Sequence, residues 1–407
     1  MKILAVNAGS SSLKMQLLEM PEEILIAKAQ VERIGLENAV VTIKYDFDEN
    51  GKGKVWEIRD GVILNHAAAV KAVMDKFAEF KIIENVDDIK GVGHRMVQGG
   101  EDYCKTEEVT EAVSETVLRL AELAPLHNKP EHDGYLAFKQ IIPNAVHTFV
   151  FDTAFHQSIP EERYIYPIPY EYYQQYKIRK YGFHGTSHKY IASVLKEYFN
   201  KEEYRAISLH LGSGASICAI KNGKSIDTTM GFTPLAGIAM GTRSGDIDPS
   251  ILTYLMDKEG LTPAQMNKIL NSKSGIFGVS GGSSDMRDIE AGALNGDARH
   301  ILAQKIFVNR VASFIGSYFV ELGGCDAIVF TAGIGENSIA TRRKLIPLIS
   351  EALGIEYDPS ESNKEILCNG KVIKISSENS KVDVLIIPTN EELMMCKETY
   401  DVIVNGK

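Results

Sequence analysis

Three short segments of the 407-residue chain concentrate side chains that could do chemistry. Residues 93–101 put an Arg beside a glycine-rich turn, residues 182–188 put a His between glycines ahead of a helix, and residues 240–249 put an Arg in a polar loop. Arg95 and Arg243 stay charged and could each bind a phosphate or a carboxylate through paired hydrogen bonds. His184 precedes a predicted helix in a loop, where a core histidine is less common. Either Arg could instead form a structural ion pair with a nearby carboxylate such as Asp246. The sequence alone leaves both interpretations open.

Two further loops contain the small residues that let a backbone approach phosphate oxygens closely. Residues 7–14 offer three serine hydroxyls and end in Lys14, but their Gly and Lys spacing is not that of a Walker A loop. Residues 333–337 form a predicted glycine loop between a strand and a helix, an arrangement that binds nucleotides at the helix N-terminus. The loop lacks the full GxGxxG pattern of a dinucleotide site. An ordinary hairpin turn and a tight strand–helix connection are the alternatives.

Acidic residues follow two predicted strands. Asp152 comes directly after an apolar run, where an acid commonly faces the ligand crevice of an open sheet, although it could also cap a helix. Thr389 and Glu392 have the spacing of a capping box, so Glu391 is predicted to be the carboxylate that can reach a metal ion. Asp285 follows a Gly-Gly-Ser-Ser run, and its alternative role is likewise a helix cap.

Apolar periodicity predicts the elements that position these loops. Strands are predicted at 2–6, 13–18, 145–151, 206–211, 326–330 and 382–387, and helices at 66–80, 113–124 and 299–322. This alternation predicts an α/β fold with helices covering sheets. The pattern of strand, small-residue turn and strand occurs at 3–18 and again at 207–220, half a chain apart. It therefore indicates two related halves.

Composition excludes several classes of protein. The hydrophobic fraction of 44% argues against disorder, and the net charge of −10 disfavours nucleic-acid or anionic-membrane binding. Five scattered Cys without a CxxC pair suit a reducing cytosol rather than a disulfide or zinc framework. No apolar run reaches the roughly 18 residues of a membrane span. The first strand reaches Asn7 too soon for a signal peptide, so we expect a cytoplasmic protein.

The motifs resemble those of the acetokinase family, the acetate kinases and related short-chain carboxylate kinases. The matching segments are 7–14, 93–101, 123–128, 150–157, 179–188, 210–216, 231–249, 330–338 and 388–393. They occur along essentially the whole chain in the family's order. The resemblance implies a duplicated fold of the actin, sugar kinase and Hsp70 type, with an active-site cleft between two domains. It implies an N-terminal domain of residues 1–152 plus 389–407 and a C-terminal nucleotide-binding domain of residues 153–388.

The same resemblance implies reversible, Mg²⁺-dependent transfer of a phosphoryl group from ATP to acetate, which gives acetyl phosphate and ADP by direct in-line transfer. It also implies a homodimer, with Mn²⁺ as an alternative ion. The implied catalytic residues are Arg95, His127, Asp152, His184 and Arg243. The implied substrate-binding residues are Arg95, Val97, Leu126, Phe183 and Pro234. The implied metal residues are Asn7 and Glu391. The implied ATP-binding residues are Ser10, Ser12, Lys14, His210, Leu211, Gly212, Ser213, Gly214, Asp285, Met286, Arg287, Gly333, Ile334, Gly335, Glu336 and Asn337.

The sequence departs from the family's common pattern at Gln98, Ser213, Ala236 and residues 129–133, which puts the acyl preference in question more than the activity. A propionate or butyrate kinase is the close alternative, and Val97 favours acetate because it leaves less room than Ala.

A chaperone-like ATPase of the same fold would not need Arg95, Arg243 and His184 together. A nicotinamide-dependent enzyme is disfavoured by the missing dinucleotide fingerprint.

Overall fold

The computed structural model describes residues 1–48, 51–124, 127–357 and 371–406. Its strands are β1 (Lys2–Ala8), β2 (Ser12–Glu19), β3 (Ile24–Glu32), β4 (Ala39–Tyr45), β5 (Lys54–Gly61), β6 (Ile89–Met96), β7 (Glu107–Glu108), β8 (Val146–Phe151), β9 (Arg205–Leu211), β10 (Ala215–Lys221), β11 (Lys224–Thr228), β12 (Ala327–Thr331), β13 (Ile373–Lys374) and β14 (Asp383–Ile386). Its α-helices are α1 (His66–Glu79), α2 (Glu111–Leu120), α3 (Asn128–Ile141), α4 (Glu161–Tyr164), α5 (Glu171–Tyr176), α6 (Gly185–Phe199), α7 (Ser250–Glu259), α8 (Pro263–Ser272), α9 (Gly275–Ser280), α10 (Met286–Leu294), α11 (Ala298–Leu322), α12 (Ala332–Asn337), α13 (Ile339–Leu353) and α14 (Glu391–Asn405).

The chain divides into two compact units. The first comprises residues 1–157, 185–187 and 390–407, and the second comprises residues 158–184 and 188–389. Each unit contains one sheet, with the order β5-β4-β3-β2-β1-β6-β8-β7 in the first and β11-β10-β9-β12-β14-β13 in the second. No helix among the described residues is long and apolar enough to cross a membrane.

Each of the two sheets contains the same arrangement of five strands. In the first, β1 pairs antiparallel with β2 and parallel with β6, and β6 pairs parallel with β8. In the second, β9 pairs antiparallel with β10 and parallel with β12, and β12 pairs parallel with β14. The order β3-β2-β1-β6-β8 thus corresponds to β11-β10-β9-β12-β14. This correspondence confirms the two related halves predicted from the repeated hairpin.

The apolar faces of the helices cover these sheets. Helix α1 begins after Asn65, whose side chain accepts a hydrogen bond from the Ala68 N–H at 2.9 Å. Its buried stripe includes Val70, Val73 and Phe77, which join the strand residues in the core of the first unit. The predicted helix at 66–80 is therefore confirmed. Helix α14 packs on β1, β6 and β8, and α11 packs on β9 and β10.

Two local predictions are wrong. Residues 333–337, predicted as a loop, lie in the short helix α12, whose final carbonyls are satisfied because Arg342 Nη1 donates to Gly335 O and Glu336 O at 2.7 and 2.9 Å. The predicted capping box at Thr389 is also absent. Asn390 caps α14 by accepting from the Leu393 N–H.

Candidate active site

An arginine–carboxylate pair lies at the carboxyl ends of two parallel strands of the first unit. Arg95 is the penultimate residue of β6, and Asp152 directly follows β8. The guanidinium donates from Nη2 to Asp152 Oδ2 at 2.5 Å and from Nε to Oδ1 at 3.1 Å. Burial opposes the charge of Arg95, but the carboxylates of Asp152 and Glu131 outweigh that effect and raise its pKa.

The main chain around Asp152 is closely packed. Its carbonyl oxygen accepts a hydrogen bond from the Gly185 N–H at 2.9 Å. A side chain at position 185 would put its Cβ 2.1 Å from that oxygen, so only glycine fits there. The carboxylate of Asp152 is therefore held by Arg95 while its backbone is held by Gly185, and it does not cap a helix.

Glu131 joins this pair although the sequence motifs did not identify it. It lies in the first turn of α3, is 3% exposed, and places Oε1 3.8 Å from Arg95 Nη1. Its Oε2 accepts a hydrogen bond from the Val97 N–H at 2.8 Å. Burial raises the pKa of Glu131 to about 7, against the opposing charge of Arg95. The departure at residues 129–133 was the only sequence signal for this role.

The residues predicted to serve the metal and the phosphates lie on β1, β2 and α14 of the same unit. Asn7 and Lys14 are paired across the β1–β2 hairpin, and Ser10 is exposed in its turn. Ser12 begins β2 and is partly buried. Glu391 begins α14, and burial raises its pKa to about 7 while Arg95 opposes that shift.

These donors have the chemistry of a partial magnesium site. Amide and carboxylate oxygens are hard ligands, and Mg²⁺ usually binds one or two carboxylates while keeping several waters. In the described part of the chain, no three His, Cys, Asp or Glu side chains form a group that could hold a metal by themselves. The residues fit an ion that also takes oxygens from water and from a phosphate.

His184 is held at the start of α6 in the second unit. Its backbone is in the left-handed region with φ 57°, a conformation that non-glycine residues adopt rarely and mostly at constrained sites. Its Nδ1 lies 2.9 Å from Ser216 Oγ, and its ring stacks on His210 with centroids 4.1 Å apart. The neighbouring Phe183 is buried, at 3% exposure.

Arg243 lies beside His184 in this unit. Its Nη1 donates to the Pro234 carbonyl at 3.2 Å, and it forms no ion pair with any described residue. Desolvation lowers the pKa of Arg243. A Cβ built on Gly214 would lie 3.5 Å from Arg243 Nη1 and 3.6 Å from His184 Nε2, so the two side chains converge where Gly214 leaves space. Arg243 does not form the alternative ion pair with Asp246, whose carboxylate accepts from the Gly237 N–H at 2.8 Å.

Three predicted nucleotide segments of the second unit surround one cavity of about 550 Å³. Its lining includes Gly212, Ser213, Ser284, Asp285, Met286, Arg287, Glu290, Gly333, Ile334, Asn337 and Ser338. The volume lies in the range of small-molecule sites. His210, Leu211, Gly214, Gly335 and Glu336 belong to the same segments but do not line the cavity. Asp285 also caps α10, as its alternative interpretation predicted, and forms an exposed ion pair with Arg287.

The two remaining predicted site residues belong to the segment before α3. His127 precedes that helix, and its carbonyl oxygen accepts from the Glu131 N–H at 3.0 Å. Leu126 lies outside the described residues.

The chain is similar to proteins of a known family over nearly its whole length. The Acetokinase family model matches residues 2–397. The chain is 50% identical to an acetate kinase of Geobacillus sp. (strain WCH70) and 47% identical to one of Bacillus subtilis (strain 168), each over 98% of both chains. The crystal structure of Porphyromonas gingivalis acetate kinase aligns with a TM-score of 0.90 at 40% identity, over 99% of both chains. A propionate kinase from Francisella tularensis subsp. tularensis SCHU S4 aligns with a TM-score of 0.89 at 38% identity, over 98% of this chain and 99% of that one.

Proposed function

This chain belongs to the acetokinase family, and from that premise we infer that it transfers the γ-phosphoryl group of ATP reversibly to acetate, giving acetyl phosphate and ADP. The observation that carries this inference is the similarity to acetate kinases over 98% of the chain. The family's reaction needs ATP and a divalent metal ion. The fold is the predicted α/β fold of the actin and sugar kinase type.

We propose that catalysis consists of positioning and charge neutralisation. A carboxylate is already a nucleophile, so no general base is needed, and phosphoryl transfer leaves little covalent chemistry to the protein. Arg243 and His184 would donate to the oxygens of the transferring group. Because the Arg243 guanidinium is desolvated and forms no ion pair among the described residues, its charge is available to an incoming anion.

Arg95 would orient acetate and the phosphoryl group from the first unit. The Arg95 guanidinium donates to Asp152 from Nε and Nη2, which fixes its orientation. Glu131 contacts the same guanidinium and also accepts from the Val97 N–H. We assign Val97, Leu126, Phe183 and Pro234 to the wall around the acetate methyl group, and His127 to the path of the phosphoryl group. The active-site cleft between the domains remains a prediction from the family resemblance.

We propose Mg²⁺ as the divalent ion, with Mn²⁺ as an alternative, held in part by Asn7 and Glu391 and organised by Asp152. When bound, the ion would neutralise charge on the phosphate oxygens of ATP. Lys14 would add a cation near Glu391, and Ser10 and Ser12 would supply hydroxyl donors. The segments around the 550 Å³ cavity would hold the rest of ATP.

We further propose a cytoplasmic homodimer with domains of residues 1–152 plus 389–407 and 153–388.

The second candidate function is propionate phosphorylation, which the similarity to the Francisella tularensis propionate kinase favours. One methylene group in an apolar pocket is worth about 1–3 kcal/mol, so we expect kcat/KM for the two substrates to differ by no more than about 200-fold.

Hydroxamate trapping tests this proposal. Purified protein is incubated with ATP, Mg²⁺, hydroxylamine and acetate, propionate or butyrate, with ATP omitted as the control. We expect ATP-dependent acyl hydroxamate with the highest kcat/KM for acetate. A higher kcat/KM for propionate would favour the alternative, and no hydroxamate with any of the three acids would contradict the proposal.

A further inference from the structure

Within the second unit, a row of buried hydroxyl and imidazole groups begins at His184. Ser216 Oγ lies 2.9 Å from His184 Nδ1 and also 2.9 Å from His188 Nε2. The other ring nitrogen of His188, Nδ1, lies 3.0 Å from Ser208 Oγ. The side chains of Ser216, His188 and Ser208 are fully buried.

The sheet and helix place these groups by their regular periods. Ser216 pairs with His210 across the β9–β10 ladder, and Ser208 lies two residues before His210 on β9, so all three share one face of the sheet. His188 lies four residues after His184, one turn further along α6. Helix α6 therefore places both imidazole rings against the line of polar side chains formed by Ser208, His210 and Ser216 on this face of the sheet.

The number of hydroxyl and imidazole protons limits which hydrogen-bond directions these side chains can adopt. A serine hydroxyl has one proton, and a neutral imidazole donates from one nitrogen and accepts at the other. Ser216 can therefore donate to only one of the two rings, and it accepts from the other ring or from both. In the first arrangement Ser216 donates to His184 Nδ1, so the His184 proton is on Nε2, His188 Nε2 donates to Ser216, and Ser208 donates to His188 Nδ1. In the other arrangements the proton of neutral His184 is on Nδ1.

The environment of His184 Nε2 favours the first arrangement. This atom faces the same space as Arg243 Nη1, beside Gly214. A lone pair there would repel an anionic phosphoryl group, whereas an N–H would donate to it. This step rests on the proposed function, because it requires an anion in that space.

We propose that Ser216, His188 and Ser208 are positioning residues that hold neutral His184 as the Nε2–H tautomer. Ser208 donates to His188 Nδ1, His188 Nε2–H donates to Ser216, and Ser216 donates to His184 Nδ1. His184 Nε2–H can therefore donate a hydrogen bond to the phosphoryl group without first changing its tautomer. No bond other than these hydrogen bonds forms or breaks, and no carboxylate is needed to set the tautomer.

The direct test is the tautomer of His184. The full-length protein is labelled with ¹⁵N-histidine and its ring nitrogens are recorded by long-range ¹H–¹⁵N correlation, with His184→Gln identifying the His184 signals. We expect the Nε2–H pattern in the wild type, both free and with Mg²⁺ and ADP. The Nδ1–H pattern would overturn the inference.

Variants give a second readout. Ser216→Ala should mix the two tautomers and lower kcat about tenfold, the size of one lost hydrogen bond, with KM for ATP and acetate changed less than about twofold. Ser216→Thr keeps the hydroxyl and should restore both the tautomer and kcat. Ser225→Ala removes another fully buried sheet serine and should change neither.

An unchanged His184 pattern in folded Ser216→Ala would overturn the role of Ser216. The failures of the two proposals are distinguishable. A wild type that makes acetyl phosphate but holds His184 as the Nδ1–H form contradicts the tautomer inference alone. A wild type that holds the Nε2–H form but makes no acyl phosphate contradicts the proposed function alone.

Discussion

Two Arg–Asp pairs of this protein have nearly the same geometry but differ in burial, and this contrast gives a sharp prediction. In both the Arg95–Asp152 pair and the Arg287–Asp285 pair, Nη2 lies 2.5 Å from Oδ2 and Nε also donates to the carboxylate. The side chains of the first pair are 23% and 3% exposed, and those of the second are 86% and 39% exposed. Replacing each Asp by Asn keeps the shape and removes the charge.

The expected loss of unfolding free energy in each variant depends on how deeply the ion pair is buried. Removing one partner of a buried ion pair costs about 3–5 kcal/mol of unfolding free energy. Arg95 keeps Glu131 at 3.8 Å and some contact with water, so we expect the lower end, about 3 kcal/mol, for Asp152→Asn. Asp285→Asn should cost less than about 1 kcal/mol, because the pair is exposed and Asn caps a helix as well as Asp does.

Chemical denaturation measures both costs. Circular dichroism follows the whole chain, while the fluorescence of Trp56, the only tryptophan, reports the first unit that contains Asp152. Asp152→Asn should shift the Trp56 transition to lower denaturant, and Asp285→Asn should leave it unmoved. Equal small losses in the two variants would refute the argument that burial makes the Arg95 pair important, and with it the claim that Asp152 fixes this guanidinium.

Three further predictions concern activity. Arg243→Ala should lower kcat roughly 10²-fold or more, because it removes a desolvated cation from the transferring group; near-normal kcat in steady-state assays would show that its assigned role is wrong. Glu391→Ala should raise the Mg²⁺ concentration needed for half-maximal activity, whereas Glu392→Ala should not; a Mg²⁺ titration that gives the reverse order would exchange their roles. Val97→Ala should raise kcat/KM for propionate relative to acetate several-fold, because it removes two methyl groups of wall; an unmoved ratio would mean that Val97 does not face the acyl group.

Local patterns predicted those parts of the fold that local forces determine. The β1–β2 and β9–β10 hairpins follow from apolar strands around small-residue turns, and helix α1 follows from its apolar spacing. The approach of Arg95 to Asp152 fits the general rule that the carboxyl ends of neighbouring parallel strands meet at one sheet edge, but it was not predicted, because β6 is not among the strands predicted from the sequence. Their bidentate contact required the structure.

Other features depend on residues that are distant in sequence. Thr389 fits a capping box locally, but its N–H donates to Glu336, and Asn390 caps the helix instead. Glu131 acquires its role only because α3 brings it to Arg95 and Val97. Ser216 looks like one small residue in an apolar run, and its contact with both His184 and His188 arises from helix and strand periods together.

The central claim is that the γ-phosphoryl group passes directly from ATP to the acetate carboxylate, with no phosphorylated protein in between. The most direct measurement uses ATP whose γ-phosphorus is made chiral with oxygen isotopes, followed by stereochemical analysis of the acetyl phosphate formed. Direct in-line transfer predicts inversion of configuration at phosphorus. Retention of configuration would require an even number of transfers, and it would contradict the account.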